Sequence, residues 1–500
     1  MNGIHYLDLL KLAAPETVIV LTALAVLAVD LVALRELETR TRFLIGGLFA
    51  CVGCALAAGW LLMMPAHGNA LDSMLVADPL TQLVKVALLA LTIFTVLLSM
   101  DGDFTEHVGE YLALILLAAV GMMFLVSSED ILMIFLSLEL TSLSLYILTG
   151  FNKRDVKSAE AALKYFLFGG MSAAFTLFGL SLIYGLSGAT NLRDIAAGLA
   201  GKGLDPLLVV AIVMVVIGLG FKVAAVPFHL WAPDAYQGAP TPSAALIASG
   251  SKVASFFIFA KVMMLAFAGE RIQGSGAWHA FAPGWVPVIA LVAAVSMLLG
   301  NLVAIVQSSV RRLLAYSAIA HAGYMLVAVL SHSSEGLSSL VYYAVTYGLT
   351  TVGAFGVVAV VEQGTGGEAL SNFAGLSRRA PLVSFCMLIF LLSLAGIPPL
   401  AGFFGKFYVF AAALRTGAPN LGLLWLVMLA VAMSAVSLYY YLQVLKQIYV
   451  APVAADAAAL KIPAISQVVL ALLALGVILF GCAPSLILHP LGQAMRLAGY

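Results

Sequence analysis

Four charged residues lie inside long apolar stretches of this sequence: Glu139 in IFLSLELTSLSLYI, Lys222 in GLGFKVAAVPFHLW, Lys252 in ALIASGSKVASFFIFAK and Lys406 in AGFFGKFYVF. A charge at the centre of a bilayer costs at least about 3 kcal/mol, so each one needs a partner or a function. Lysine suits proton transfer because burial disfavours its charge, whereas a nearby carboxylate favours it. Glu139 and Lys222 are therefore a candidate proton-handling pair. The alternative for all four residues is structural pairing or a position that reaches the membrane surface.

Further ionisable residues are candidates for the same chemistry. His321, in AYSAIAHAGYML, is either a relay histidine or a core histidine with satisfied hydrogen bonds. His229 lies beside a proline-containing interruption and is a candidate for a proton-uptake path. Lys164 follows Glu160 by one helical turn, so an ion pair at a helix end is the alternative to a functional role. Lys261 is nearer the end of its apolar stretch, which favours a side chain that reaches the membrane surface.

The composition excludes a water-soluble protein of this size. Of 500 residues, 63% are hydrophobic and only 10% are charged, too few to cover a water-facing surface. Lys plus Arg equals Asp plus Glu at 24 each, so no net charge points to nucleic acid. The four cysteines are dispersed, and the sequence has no HExxH or GxSxG motif, dinucleotide fingerprint or phosphate loop. An intramembrane enzyme, a metal centre and a nucleotide site are therefore not expected.

The apolar stretches predict an all-α polytopic membrane protein. A hydrocarbon core about 30 Å thick needs roughly 20 apolar residues per helix, and runs of this length recur along the chain. Polar residues and Gly/Pro breaks divide them into about fourteen transmembrane helices. Their predicted limits are 15–34, 43–63, 79–99, 109–127, 130–150, 159–186, 206–236, 242–268, 284–306, 310–331, 336–361, 381–415, 420–450 and 462–488.

Basic residues predict the orientation of these helices. Twelve Lys and Arg residues between the spans, among them Arg35, Lys153 and Arg379, fall on one side, and six, among them Arg193, fall on the other. The more basic side is expected to be cytoplasmic. Both termini are then predicted on the periplasmic side of the inner (cytoplasmic) membrane. No connection is long enough for a soluble catalytic domain, so the chemistry is expected within the membrane layer.

Two spans contain prolines at mid-membrane depth. Pro227 and Pro233 interrupt the seventh span, and Pro398 and Pro399 interrupt the twelfth. Proline in a helix interior costs about 3 kcal/mol or more, and the freed carbonyls need a polar interior. The interruptions lie five helices apart, which predicts two inverted five-helix repeats, helices 4–8 and 9–13. The predicted single membrane domain of 1–500 therefore comprises three N-terminal helices in 1–105, a first repeat in 106–270, a second repeat in 280–450 and a C-terminal helix in 460–500.

The run FKVAAVPFHLWAPDAYQGAPTPSAALIASGSKVASF resembles a proton-conducting membrane subunit family, which NADH-quinone oxidoreductases, multisubunit cation/proton antiporters and membrane-bound hydrogenases share. The two prolines, HLWAPDAY, APTP and the central lysine occur together and in the family's order, and the resemblance extends over essentially the whole chain. Three features resemble the subunit N branch. They are Lys406 in IPPLAGFFGKFYVF where subunit M has a glutamate, the opening LAAPETVIVLTALAVLAVDL, and a C-terminus without the lateral-helix extension of subunit L.

This resemblance implies a role for each candidate residue. Glu139 and Lys222 match the paired residues of the input side. Lys252 matches the central relay lysine, and Lys406 matches the terminal lysine of the output side. His321 matches a relay position in the tenth helix. The implied function is proton translocation, coupled to electron transfer from NADH to quinone in other subunits.

The resemblance also implies partners and cofactors. NADH, FMN, iron–sulfur clusters and quinone are expected in other subunits and none on this chain, in agreement with its dispersed cysteines. The expected neighbours are subunits M and K, the lateral helix of subunit L, and membrane lipid. The alternatives are a subunit of a multisubunit sodium/proton antiporter or of a membrane-bound hydrogenase. From a different class, the alternative is a structural membrane subunit whose charged residues only hold helices together.

Overall fold

The computed structural model describes residues 10–64, 68–70, 73–200, 203, 205–268, 284–416, 422–453, 460 and 462–498. Within these residues, twelve helices are long and apolar enough to cross a membrane. Two of the predicted spans are interrupted and therefore shorter, and their first halves are Pro206–Lys222 and Pro381–Ala395. The prediction of an all-α polytopic membrane protein is confirmed.

The helices are numbered in chain order, and α1, Ala14–Val29, continues through a π-helical turn at Asp30–Leu34. The others are α2 Thr39–Met63, α3 Pro79–Ser99, α4 Val108–Ser127, α5 Ile131–Thr149, α6 Val156–Ser187, α7 Leu192–Leu199, α8 Pro206–Lys222, α9 Trp231–Gly238, α10 Thr241–Ala248, α11 Gly250–Leu265, α12 Val286–Ile305, α13 Val310–Ser331, α14 Ser334–Thr365, α15 Leu376–Arg379, α16 Pro381–Ala395, α17 Ala401–Thr416, α18 Leu424–Tyr449, α19 Ala464–Cys482 and α20 Ser485–Ala498. A short 3-10 helix, Leu370–Phe373, precedes α15, and an antiparallel hairpin of Gly68–Ala70 with Leu75–Ala77 lies between α2 and α3.

Two predicted spans end or divide differently in the structure. The eighth, predicted as one helix over 242–268, is divided at Ser249 into α10 and α11, and the Ser249 hydroxyl donates to the carbonyl of Ala245 at 2.6 Å. Such a side-chain bond competes with regular helical hydrogen bonding. The fourteenth, predicted to residue 488, ends at Cys482, because Pro484 cannot donate a hydrogen bond to continue the helix. The predicted limits at residues 1, 270, 280, 420 and 500 lie outside the described residues.

The two repeats share details beyond their interrupted helices. Helices α6 and α14 each contain 32 residues and end at a glycine in the left-handed region, Gly188 at φ 75° and Gly366 at φ 73°. After each of these helices the chain forms a backbone bridge with the start of the preceding helix, and the bridged pairs are Asp130–Asn191 and Ser309–Ala369. The broken helix follows in both repeats, as α8–α9 and as α16–α17. Because each repeat has an odd number of spans, the second is inverted relative to the first.

The centre of the bundle is formed by three spans that are almost entirely enclosed. The span of α10 and α11 is 100% buried, and α13 and α14 are each 94% buried, against 28% for the first span. Lys252 is on α11 and His321 on α13. These candidate residues therefore lie behind a shell of other helices, where lipid does not contact them.

Candidate functional site

The first interruption leaves backbone groups without helical partners at the end of α8. That helix ends at Lys222, and α9 begins at Trp231 after an irregular segment. The indole Nε1 of Trp231 donates to the carbonyl of Phe221 at 3.1 Å, and the amide of Val226 donates to Oγ of Ser296 at 2.9 Å. Neutral side chains therefore satisfy the unwound backbone, as irregular structure at membrane depth requires.

The predicted pair of Glu139 and Lys222 is in contact across this interruption. Nζ of Lys222 lies 3.6 Å from Oε1 of Glu139 and donates a hydrogen bond to the hydroxyl of Ser142. Glu139 and Ser142 are three residues apart on α5, so they occupy one face of that helix. The Glu139 side chain is 24% exposed and that of Lys222 is 9% exposed. The carboxylate is thus the member of the pair that is accessible from outside the bundle.

Lys252 is buried near the start of α11. Its Nζ donates to the carbonyl of Ala318 on α13 at 2.6 Å and lies 5.9 Å from the ring centroid of Tyr347 on α14. No carboxylate contacts Lys252 among the residues that the structure describes. A carbonyl accepts a hydrogen bond from an ammonium or from a neutral amine. Lys252 can therefore change its protonation state without losing its partner.

His321 lies one helical turn after Ala318 on α13. Its Nδ1 is 2.7 Å from the hydroxyl of Tyr343, and its Nε2 is 3.3 Å from the hydroxyl of Tyr441. Both nitrogens of this buried ring thus have a partner, as a core histidine requires. The same contacts give each nitrogen a hydroxyl group, as a proton relay requires. Both interpretations of His321 therefore agree with its contacts.

At the second interruption the lysine itself satisfies the free end of the helix. Helix α16 ends at Ala395, and Nζ of Lys406 donates to the carbonyls of Leu394 at 2.9 Å and Ala395 at 3.0 Å, and to Oγ of Ser434 at 2.8 Å. The last carbonyls of a helix lack intrahelical partners and carry partial negative charge. The partner of Lys406 is therefore a helix end rather than a carboxylate.

The structure arranges the predicted residues in two groups. Two tyrosines link Lys252, His321 and Lys406. The ring of His321 is 5.5 Å from that of Tyr324 and 5.0 Å from that of Tyr347. Nζ of Lys252 is 5.9 Å from the Tyr347 ring, and Nζ of Lys406 is 5.1 Å from the Tyr324 ring. Glu139 and Lys222 form the other group. Within the described part of the chain, no hydrogen bond or ion pair joins Lys222 to Lys252.

Lys164 and His229 lie apart from both groups. Lys164, 41% exposed, pairs with Glu160 at 2.7 Å as predicted, and also with Asp234 of α9 at 2.8 Å. Asp234 pairs in turn with Arg312 at 2.7 Å, so this network connects the first repeat to the second. His229 is buried, and its Nδ1 has no hydrogen-bond partner among the described residues.

Two buried ion pairs of lysine, within the described residues, were not predicted. The expectation that Lys261 reaches the surface is wrong: its side chain is 1% exposed, and its Nζ is 3.1 Å from Oε1 of Glu129. Lys85 on α3 and Glu16 on α1 form a second buried pair at 2.6 Å. Both lysines lie inside apolar stretches, and that signal was present in the sequence. Their partners stand near the ends of other helices, which the sequence does not connect to them.

Comparisons with known proteins agree with this architecture. Residues 128–437 match the family described as NADH:quinone oxidoreductase/Mrp antiporter, TM. The chain is also 53% identical over 498 residues to NADH-quinone oxidoreductase subunit N 2 of Acidobacterium capsulatum, covering 98% of this chain and 99% of that protein. The chain belongs to the subunit N family of NADH-quinone oxidoreductases. The predicted resemblance to the subunit N branch is thereby confirmed.

Solved structures support the same assignment. The structure of respiratory complex I from Thermus thermophilus with bound aureothin contains a chain of 33% identity and TM-score 0.78, with 95% of this chain and 98% of that chain covered. The Mrp complex from Dietzia sp. contains a chain with TM-score 0.79 at 20% identity, over 98% of this chain and 97% of that chain. The Mrp likeness shows the fold alone. An antiporter-like subunit of the N family therefore fits better than the sodium/proton antiporter alternative.

Proposed function

We propose that this subunit translocates protons along Glu139, Lys222, Lys252, His321 and Lys406, driven by electron transfer from NADH to quinone in other subunits. The observation that carries this proposal is the environment of Lys252, which is 2% exposed and bonds to a carbonyl. A buried charge that serves only packing is ordinarily paired with an opposite charge. Lys85 and Lys261 have that arrangement, and Lys252 does not.

The pair at the first interruption acts as the input. Protonation of Glu139 removes the charge attraction across 3.6 Å, and Lys222, left in an apolar interior, then releases its proton inward. Transfer from Lys222 to Lys252 requires water, because the two make no direct contact within the described residues. From Lys252 the proton passes by way of His321 to Lys406. Lys164 and His229 receive no step in this path.

The redox chemistry belongs to other subunits in this proposal. NADH, FMN, iron–sulfur clusters and quinone bind there, and this chain carries no redox centre. The cysteines support this assignment, because Cys51 and Cys54 lie on α2, Cys386 on α16 and Cys482 at the end of α19, too dispersed to ligate a cluster. Subunits M and K and the lateral helix of subunit L are the proposed neighbours. The proposed location is the inner membrane, with both termini periplasmic.

Proton pumping per NADH oxidised in membrane vesicles tests the path. Lys252→Ala is compared with wild type and with Lys153→Ala, which removes an exposed lysine from the turn before α6. We expect Lys252→Ala to assemble normally and to pump severalfold fewer protons per NADH, and Lys153→Ala to match wild type. Normal pumping by an assembled Lys252→Ala complex would refute the proposal. Ion transport that requires Na⁺ would favour the antiporter alternative instead.

A further inference from the structure

Four tyrosines enclose His321, and two of them direct their hydroxyls at its nitrogens. Tyr343 is 2.7 Å from Nδ1 and Tyr441 is 3.3 Å from Nε2. The rings of Tyr324 and Tyr347 complete the enclosure at 5.5 and 5.0 Å from the imidazole. We propose that Tyr441 and Tyr343 are relay residues, whose hydroxyls deliver a proton to His321 and remove one from it. This inference rests on the proposed function, because it names the groups between Lys252 and Lys406.

The Tyr441 hydroxyl leads back to the surroundings of Lys252. It lies 2.5 Å from Oγ of Ser317, and Ser317 directly precedes Ala318, whose carbonyl accepts from Lys252 at 2.6 Å. Tyr441 therefore stands between Ser317 and His321 with a hydrogen-bonding group on each side. All of these side chains are buried, so a proton at this point has no competing path to lipid or bulk water.

The Tyr343 ring leads to the half-helix that carries Lys406. Gly405 directly precedes Lys406, and a methyl group added at Gly405 would lie 2.5 Å from Cδ2 of Tyr343. The ring thus packs against the backbone of α17 at a point where no side chain fits. Any residue larger than glycine at 405 must therefore shift the Tyr343 ring or the α17 backbone. The chain of groups Ser317, Tyr441, His321 and Tyr343 consequently extends from the Lys252 partner to the Lys406 helix.

The proton count balances along this chain. A hydroxyl can accept a proton on its oxygen while donating its own, and a neutral imidazole can accept at one nitrogen and donate from the other. Water carries the proton from Lys252 to Ser317, because the two side chains share no hydrogen bond within the described residues. Tyr441 then receives a proton from Ser317 and passes its own to Nε2 of His321. His321 releases the proton on Nδ1 to Tyr343, which passes its own proton to Lys406, again through water. One proton enters, one leaves, and no group remains charged; hydroxyl rotation and tautomer exchange then restore the starting state.

Two buried tyrosines outside the relay serve as matched controls. Tyr342 precedes Tyr343 and donates to the carbonyl of Phe480 at 2.8 Å. Tyr111 lies on α4, and its hydroxyl is 3.0 Å from Oγ of Ser243. Replacement by phenylalanine removes one buried hydroxyl in each of the four cases and keeps the ring. A difference in pumping between the relay variants and the control variants therefore reports where the lost hydroxyl lies, not merely that a buried hydroxyl was lost.

The test uses the assembled complex in vesicles. It measures the protons pumped per NADH in H₂O, and the initial rate of pumping in H₂O and in D₂O. We expect Tyr343→Phe and Tyr441→Phe to pump severalfold fewer protons per NADH. Their pumping rate should also fall more on transfer from H₂O to D₂O than the wild-type rate does. Tyr342→Phe and Tyr111→Phe are expected to match wild type in both measurements. Gly405→Ala, which crowds the Tyr343 ring, should reproduce the loss of pumping expected for Tyr343→Phe. Relay variants that equal their controls would overturn the proposal.

Two further outcomes are separated by the same series. If the relay variants lose pumping but their deuterium effect equals that of wild type, the hydroxyls only hold His321 in place, and the relay is overturned. Lys252→Ala is included to test the underlying function. Normal pumping by Lys252→Ala would refute the proposed function itself, whereas loss in Lys252→Ala with wild-type behaviour of both tyrosine variants would refute the tyrosine relay alone.

Discussion

The two interrupted helices solve the same backbone problem with different chemistry. At the first, the indole of Trp231 satisfies the carbonyl of Phe221, and Lys222 is left to contact Glu139. At the second, Lys406 itself donates to the carbonyls of Leu394 and Ala395. Each lysine also donates to one serine, Ser142 or Ser434. Lys222 therefore takes no part in satisfying the backbone carbonyls at its interruption. Lys406 both carries the buried charge and satisfies the carbonyls at the second interruption.

This difference explains how an inverted repeat can have unlike ends. A lysine paired with a carboxylate responds when the carboxylate changes its charge, so the first interruption suits a group that is switched from outside. Helix-end carbonyls do not titrate, so the second interruption holds its lysine against a fixed partial charge. The comparison predicts that loss of the lysine at the second interruption disturbs both assembly and pumping, and that loss of the lysine at the first disturbs pumping alone.

The largest effect is expected for Lys406→Ala. It removes a donor to two buried carbonyls. The Ala395 carbonyl keeps the Ser434 hydroxyl, which donates to it at 3.3 Å, so the Leu394 carbonyl is the acceptor left unsatisfied, at a cost of about 1–3 kcal/mol. We expect less assembled complex on native gels, a lower midpoint on heating in detergent, and loss of pumping in the complex that remains. Lys406→Arg is the control: it keeps donors but holds its proton permanently. It should recover assembly without recovering pumping. Normal assembly of Lys406→Ala would contradict the dual role.

Lys222→Met is expected to abolish the contribution of this subunit to pumping at little cost to assembly. The methionine fills a similar volume, and Trp231 still satisfies Phe221, so the break keeps its hydrogen bond. Glu139→Gln, which keeps the shape of the partner, should give the same loss. Native gels and NADH-driven pumping in vesicles measure the two quantities separately. A Lys222→Met complex that fails to assemble would make the two interruptions alike and remove the contrast between them.

Much of this arrangement could be predicted because membrane burial makes charge conspicuous. The prolines at 227, 398 and 399 located both interruptions, whereas Pro233 lies in the first turn of α9 and does not interrupt the helix. The apolar run lengths located the spans to within a few residues. The contact between Glu139 and Lys222 followed from the expense of leaving either charge alone. Each of these features is a property of one segment, or of two charges that require each other.

The partners of Lys252 and Lys406 could not be predicted for the opposite reason. Backbone carbonyls are present at every residue, so sequence alone does not identify Ala318, Leu394 and Ala395 as acceptors. Tyr343 and Tyr441 are equally ordinary in an apolar helix, and only helix packing distinguishes them from their neighbours. Tertiary contacts of common groups carry no local signal. For Lys85 and Lys261 the buried charge was visible in the sequence, but its partner, Glu16 or Glu129, was not.

A smaller effect is expected for Trp231→Phe, which removes the neutral donor at the first interruption. The Phe221 carbonyl still accepts from the amide of Ala224 at 3.0 Å, so the cost is about 1–2 kcal/mol. Trp285→Phe is a matched control, because its indole donates to the carbonyl of Phe267 at 2.9 Å and lies outside both interruptions. Both variants should lower the heating midpoint similarly and leave pumping per NADH unchanged. Loss of pumping in Trp231→Phe alone would mean that the donor and the charge pair are not separate.

The smallest effects are expected for replacing the serine that accepts a hydrogen bond from each lysine, Ser142 at the first interruption and Ser434 at the second. Ser434→Ala leaves Lys406 with two carbonyl acceptors, so we expect a stability loss of about 1 kcal/mol and unchanged pumping. Ser142→Ala leaves Lys222 with its ion-pair partner Glu139, 3.6 Å away in the described structure. A lysine freed from the serine can approach the carboxylate more closely and hold its proton longer, so pumping should slow about twofold to fivefold at equal stability. Heating midpoints and initial pumping rates of the two variants, measured side by side, decide the matter. Equal pumping by both would show that Ser142 and Ser434 have the same role, and that the two interruptions differ only in how they satisfy their carbonyls.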